Sequence, residues 1–324
     1  MTAKPTNGIC WNARRTHRRP PVLAALAAAL LLTGAERSAA WDYAGHRVVV
    51  PLSLDLVHRR LPIPFTAGAA VISQCSGDPD AFKDLSPDLL KPVEGPEHFI
   101  NLEYFAGDRL PARRGEYPAF CARHGVNLAE AGYLPYAIQE WTERLRVSFA
   151  EYRRWPEDLG VRSKCLVYAG ILAHYAADLC QPLHLTADYD GRRGRDGKSP
   201  HSGIHLKVDA LLGKTYFPVN EVLDGLRARP VTNVMERIAG IAYDRAPIDR
   251  VYSLESHLAA VDAPAGDDPA VRAFARDRLR AATLLTADLF LTAWEDSQTV
   301  TFPAWFDSAH TGTKPAAPTL QGKP

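Results

Sequence analysis

Histidine and aspartate recur in this chain at spacings that suit metal coordination. In the stretch ILAHYAADLCQPLHL, His174 and Asp178 stand four residues apart. On a helix they project from one face and can share an ion. His184 follows Pro182, where a helix should be ending, and can aim at the same cleft from another direction. His205 and Asp209 repeat the four-residue spacing in HSGIHLKVDALL. Imidazole mixed with carboxylate suits zinc. A cluster this dense points to several ions, and so to chemistry rather than to one structural clip.

Three further segments offer ligands. Trp41 opens the run W-D-Y-A-G-H, which places His46 five residues later. If Trp41 is the mature N-terminus, its α-amino nitrogen and carbonyl oxygen close a five-membered ring around a metal, and His46 adds a third bond. A metal can displace the proton of that amine, whose ordinary pKa is only about 8. Trp41 as a buried aromatic and His46 as a helix-capping histidine remain the plain alternatives. Asp80 lies in S-G-D-P-D-A-F-K, with Asp78 as its understudy, although acids beside proline are commonly turn formers. His98, in E-H-F-I-N, reads equally as a core histidine. His58, His124, His201 and His257 fit no ligand spacing.

The elements that must bring these residues together are mostly helical. Apolar periodicity predicts helices over 46–60, 125–154, 161–181, 203–212, 229–245 and 270–296. Segment 161–181 is so apolar that it should be central, which makes His174 and Asp178 conspicuous. Alternation of period two is scarce, and no internal repeat is present. Residues 75–97, with several prolines and acids, and residues 186–202, rich in glycine and basic side chains, read as loops. The candidate ligands run from 41 to 209 and must converge, which favours one domain over 41–306. The segment from 307 to 324 reads as a disordered tail.

The first forty residues have the form of an export signal. Arg14, Arg15, Arg18 and Arg19 precede an apolar run from Val22 to Leu32, too short to span a bilayer, and Ser38-Ala39-Ala40 offers a cleavage site before Trp41. The expected mature chain is therefore periplasmic or extracellular and carries no transmembrane segment. The signal holds six Lys or Arg and one Glu, so of 38 basic and 37 acidic residues the mature chain keeps 32 and 36, net −4. That balance excludes a protein that grips nucleic acid by charge alone. The loop around Arg192, Arg193, Arg195 and Lys198 is the one basic stretch able to guide an anion. Four cysteines remain, Cys75, Cys121, Cys165 and Cys180, an even number that permits two disulfides in an exported protein. Four free thiols is the competing reading. Cys165 and Cys180, expected on one helix roughly 22 Å apart, cannot pair with each other.

A Trp after a signal peptide, then G-H, P-D, E-H-F-I-N, H-x3-D-x-x-Q-P-L-H and H-x3-D, occur here in that order. This series resembles the superfamily of zinc-dependent phospholipase C and the single-strand nucleases of S-one and P-one type, over residues 41–209. The resemblance implies an all-α fold, one mainly helical domain with a trinuclear zinc cleft. By the same resemblance Asp80, His98, His174 and Asp178 hold one zinc. The Trp41 amine and carbonyl, His46 and Asp178 hold a second, with Asp178 bridging. His184, His205 and Asp209 hold the third. The implied chemistry is phosphodiester hydrolysis, in which paired zinc ions bring the pKa of a water toward neutrality. Asp80 then has a catalytic role beside its ligand role. Lys83 stands where those nucleases place an arginine and can contact phosphate as a point charge. Asn101 stands where they show an acid, and Phe99 can stack a base.

The tight Trp-x4-His opening and the closing Asp209 resemble the nuclease branch, since the phospholipase branch has a longer first gap and closes with Glu. Cys180 in place of a histidine and Val208 in place of a tryptophan depart from the nuclease pattern. The substrate expected first is therefore single-stranded nucleic acid or nucleotide, and alternatively phospholipid. A secreted zinc-binding protein without turnover is the reading from another class.

Overall fold

A computed structural model of the chain describes residue 41 and residues 43–311, apart from 193, 195, 197, 198, 200–202, 262 and 265. Residues 1–40, read from sequence as an export signal, His201, most of the basic loop and residues 312–324 lie outside the described residues. The described chain is mainly helical, with no strand among its residues. No helix among them is long and apolar enough to cross a membrane. In chain order, the helices that build the site are α1 (Tyr43–Val57), α2 (Ala69–Cys75), α3 (Asp78–Leu85), α4 (Leu134–Arg154), α5 (Leu159–Asp178), α6 (Ile204–Asp209) and α7 (Pro269–Asp296).

α5 is the centre of the packing, in contact with α1, α2, α4 and α7. Its start is fixed by Asp158, whose side chain accepts from the Val161 N–H at 3.0 Å. From Ala169 to Asp178 every residue is buried, which is why this stretch shows no polar stripe. α4 instead buries one face (Leu134, Ile138, Leu145, Phe149) and ends on Arg153 and Arg154, cations placed well for the helix dipole. α7 begins at Pro269, with Asp268 accepting from the N–H groups of Ala270 and Val271. Gly170 lets α5 and α2 approach closely. A Cβ there would lie 2.5 Å from the Cys75 Cβ and 2.7 Å from the Ile72 carbonyl oxygen.

Several segments differ from their sequence reading. Residues 75–97 form α3, a short helix Lys91–Glu94 and a 3₁₀ turn Gly95–His98 instead of a loop. Pro79, Pro92 and Pro96 each occupy a first turn, where proline costs no hydrogen bond. The helix expected over 125–154 divides into Leu128–Ala131 and α4. It breaks at Gly132, whose φ of +88° and 2.1 Å virtual Cβ contact with the Phe99 carbonyl exclude a side chain. That over 229–245 contracts to Val234–Ala242. The expected tail opens as a helix, Ala304–Thr311, held by an Arg154–Asp307 ion pair at 2.7 Å and by packing of Phe306 on Trp155.

The four cysteines are free thiols, so the expected disulfides do not form. Each has different neighbours: Cys75 lies beside Asp78, Cys121 beside Tyr117 and Cys165 beside Ser148, while Cys180 is wholly buried in the core. Burial raises the thiols of Cys75 and Cys165 to about 11 and that of Cys180 to about 12. They act as small apolar fillers.

Candidate metal centre

The fold gathers ligands from six elements. His46 sits in the first turn of α1 and Asp80 in the first turn of α3. His98 ends the turn Gly95–His98, and His174 and Asp178 occupy the last turns of α5. His184 lies on a 3₁₀ turn, Pro182–Leu185, which follows α5, and His205 and Asp209 lie on α6. Each segment is fixed from behind. The Gly95–Asn101 strip is pinned by the N–H groups of Tyr133 and Leu134, which donate to Pro96 and Phe99. The Asn101 N–H donates in turn to the Ala131 carbonyl at 2.8 Å. The Trp41 indole, fully buried, donates to the Ala177 carbonyl at 2.9 Å and ties residue 41 to the turn bearing Asp178.

Three groups of ligand atoms result, each within 4.8 Å: Asp80 with His98 and His174; His46 with His174 and Asp178; and His184 with His205 and Asp209. Asp178 faces both of the first two. Its Oδ2 is 3.0 Å from His98 Nδ1 and 3.2 Å from His174 Nε2, and its Oδ1 is 3.4 Å from His46 Nε2. The same Oδ1 is 3.5 Å from His184 Nδ1, so the third group adjoins the others. Ligands about 2.0–2.1 Å from one tetrahedral ion stand roughly 3.3 Å apart. His174 falls within both of the first two groups, where the sequence reading gave it to one. Asp78 falls in none.

Backbone carbonyls select the tautomers. His174 Nδ1 is 2.8 Å from the Ser76 carbonyl and His184 Nδ1 is 2.8 Å from that of His98. A carbonyl only accepts, so both Nδ1 atoms carry hydrogen, and in the neutral ring each Nε2 has its lone pair for a metal.

Burial dominates the electrostatics. With neighbouring imidazoles and Lys83 adding to it, burial pushes His46, His98 and His184 well below the ordinary imidazole range. It takes His205 down to about 4. Burial also lowers His174, but Asp178 and Asp80 outweigh it and hold that ring above its ordinary value. Burial lifts Asp178 to about 6 and Asp209 well above the carboxylate range. Several buried atoms here have no hydrogen-bond partner: both ring nitrogens of His46, Asp80 Oδ2, Asp178 Oδ1, His205 Nε2 and Asp209 Oδ2. Stranded polar atoms cost about 1–3 kcal/mol each. Dications held by these donors would satisfy them and balance three buried carboxylates, so the donor set fits metal ions.

A cavity of about 450 Å³ opens beside the ligands, walled in part by Lys83, Phe99, Asn101, His184, Tyr189 and His205. Lys83 is buried, only 4% exposed, with Nζ 2.6 Å from Asp80 Oδ1. Burial alone would lower its pKa, but Asp80 outweighs that and holds the ammonium charged. Asn101 commits its amide N–H to the Glu130 carbonyl at 2.7 Å, which leaves Oδ1 as an acceptor. Phe99 is half-buried in the wall. His58, His124 and His257 lie away from the ligand groups, with Asp55, Asp108 and Asp268 as their respective partners. Arg192 pairs with Asp249 at 2.7 Å and lies over Tyr252.

Three contributions were not assigned from sequence. The Ser76 carbonyl carries no sequence signal. Tyr189 lies in the glycine-rich loop and packs edge-on to His205. Gln181 stands inside the H-x3-D-x-x-Q-P-L-H segment, where that position was its signal. No protein-family model and no curated protein matches this sequence.

Proposed function

We propose that the chain is a zinc-dependent phosphodiester hydrolase of the S-one and P-one nuclease type, acting on single-stranded nucleic acid or nucleotides after export. The observation that carries this reading is a set of three adjoining ligand groups, joined through Asp178, of which His98, His184 and His205 line a cavity whose wall also holds a buried, charged lysine. Asp80, His98, His174 and Asp178 would hold one ion. His46 and Asp178, with the amine and carbonyl of a mature Trp41, would hold a second, and His184, His205 and Asp209 a third. Zinc when bound supplies Lewis acidity toward a phosphoryl oxygen and a water of near-neutral pKa.

The remaining roles belong to the chain. Asp80 anchors the Lys83 ammonium, which points a fixed positive charge at a phosphate oxygen. Phe99 and Tyr189 give aromatic faces on which a base can stack. Asn101 Oδ1 accepts a hydrogen bond from a base amine or a sugar hydroxyl. The depressed imidazoles stay neutral at pH 7, the protonation state that ligation requires.

One observation favours phospholipid as a second substrate class. Leu85, Leu89, Leu90 and Val93 are exposed, two of them beyond 75%, beside Lys91 and Pro92 at the cavity wall. An apolar lip of this kind suits a lipid surface. The test is to assay protein starting at Trp41 on single-stranded DNA and RNA and on phosphatidylcholine vesicles, before and after chelation and zinc restoration. Zinc-dependent cleavage of the nucleic acids supports the first reading and cleavage of the lipid the second. Full zinc occupancy with neither activity would identify a binding protein.

A further inference from the structure

We propose that Gln181 is a positioning residue that dedicates one oxygen of Asp209 to the ion shared with His184 and His205. The inference rests on the metal-centre reading and is independent of the substrate. Gln181 is wholly buried. Its Oε1 accepts from the Leu183 N–H at 2.6 Å, and its Nε2 donates to Asp209 Oδ1 at 2.6 Å. The amide can stand only this way round. A flipped side chain would set an NH₂ against the Leu183 N–H and an oxygen against a carboxylate.

The consequence is an asymmetric carboxylate. Asp209 Oδ1 is filled by Gln181, while Oδ2, 3.6 Å from His205 Nε2, has no hydrogen-bond partner in the protein. One oxygen is fixed and the other is presented. The same amide spans two ligand-bearing segments that are 28 residues apart. Its oxygen caps the turn Pro182–Leu185, which carries His184, and its nitrogen holds α6, which carries Asp209. Gln181 therefore sets the separation of His184 and Asp209. An outer partner of this kind is worth about 10–100-fold in metal affinity.

Gln181→Glu separates this role from capping alone. Glutamate keeps the acceptor for the Leu183 N–H but turns the donor facing Asp209 into a second carboxylate oxygen. The experiment measures zinc stoichiometry and stepwise affinity by chelator competition, on full mature chains of wild type, Gln181→Glu, Gln181→Met and Asp209→Asn. Melting of the metal-free forms runs alongside. The expected result is that Gln181→Glu loses affinity for one zinc by about 10–100-fold, the same ion lost in Asp209→Asn, with the other two unchanged. Gln181→Met, which carries no charge, should lose that ion as well and keeps the test open if the glutamate variant does not fold. Wild-type affinity for all three ions in Gln181→Glu, with weakening only in Gln181→Met, would overturn the positioning role and leave a plain cap. A wild-type chain that binds no zinc would instead overturn the metal centre, and this inference with it.

Discussion

Replacing Asp178 by asparagine should move metal binding and metal-free stability in opposite directions. The substitution keeps the shape of a side chain that is completely buried and within 3.0–3.5 Å of four imidazoles. Apparent binding of zinc at a four-ligand site is about 10–16 kcal/mol, so one charged ligand is worth roughly 3 kcal/mol, about 100-fold in affinity per ion. Two ions should weaken, since each oxygen faces a different group.

The metal-free protein responds the other way. Burial raises the Asp178 carboxyl from 3.8 to about 6, so the unfolded chain gives up that proton first. Stability therefore falls as pH rises between these values, and the full penalty, roughly 3 kcal/mol, stands at pH 7. Asparagine removes it. The attraction to His174 is already counted in that net shift, so the gain is about 1–3 kcal/mol, or roughly 2–5 °C in Tm for a chain of this size. The assay is thermal melting of wild type and Asp178→Asn, metal-free at pH 7.5, beside zinc affinity by chelator competition and turnover. A variant that binds zinc as tightly as wild type, or whose metal-free form melts lower, would refute the shared-carboxylate argument.

A chain carrying one extra residue ahead of Trp41 should bind one zinc fewer than a chain starting at Trp41 and lose most activity; metal analysis with the nuclease assay decides it. His205, lowered by burial to about 4, binds fewer protons folded than unfolded, so it favours the metal-free fold above pH 6.5 and that stability drains away toward pH 4. His205→Gln should flatten the slope by up to ~3 kcal/mol, read as the change in urea midpoint between pH 7 and pH 4.5. Gly170→Ala forces a Cβ to 2.5 Å from Cys75 and should cost about 1–3 kcal/mol by overpacking, with weaker zinc binding because Ser76 caps α2 and α3, bearing Asp80, follows it directly; an unchanged Tm would show that α2 yields freely. Lys83→Met should lower kcat/KM by about 100-fold with zinc content kept, since it removes a charge aimed at phosphate rather than a ligand. Wild-type turnover would make Lys83 a structural partner of Asp80.

The parts of this site legible in the sequence are those encoded over short spans. His174 and Asp178 share a face because the helix repeat puts i and i+4 together, and Pro182 announces that the chain must turn before His184. Helix class was legible for the same reason, since each apolar repeat is read locally. The proline-rich stretch 75–97 misled because proline stops a helix in its interior but suits a first turn, and composition does not say which turn it occupies. The state of Lys83 was hidden for another reason. Its burial depends on where α3 docks, and no neighbour in sequence records that. Cysteine parity failed likewise, because pairing is a matter of Cα separation and side-chain direction rather than of count.

The location of the ligands explains how one protein can hold so many stranded polar atoms. His174 and Asp178 end the helix that the rest of the molecule packs around. The apolar burial along α5, anchored by Trp41 at its last turn, offsets a polar cluster that no isolated helix could desolvate. That arrangement links folding to loading. An ion that satisfied the cluster would bind only the folded chain and so raise the melting temperature by mass action, a hundredfold excess over Kd being worth about 2.7 kcal/mol per independent site. The carboxylates then change sign in their effect. Asp178 and Asp209 weigh against the metal-free fold at neutral pH and favour the loaded one. A metal centre at the buried end of this central helix would thus make the same residues a liability before loading and a support after it.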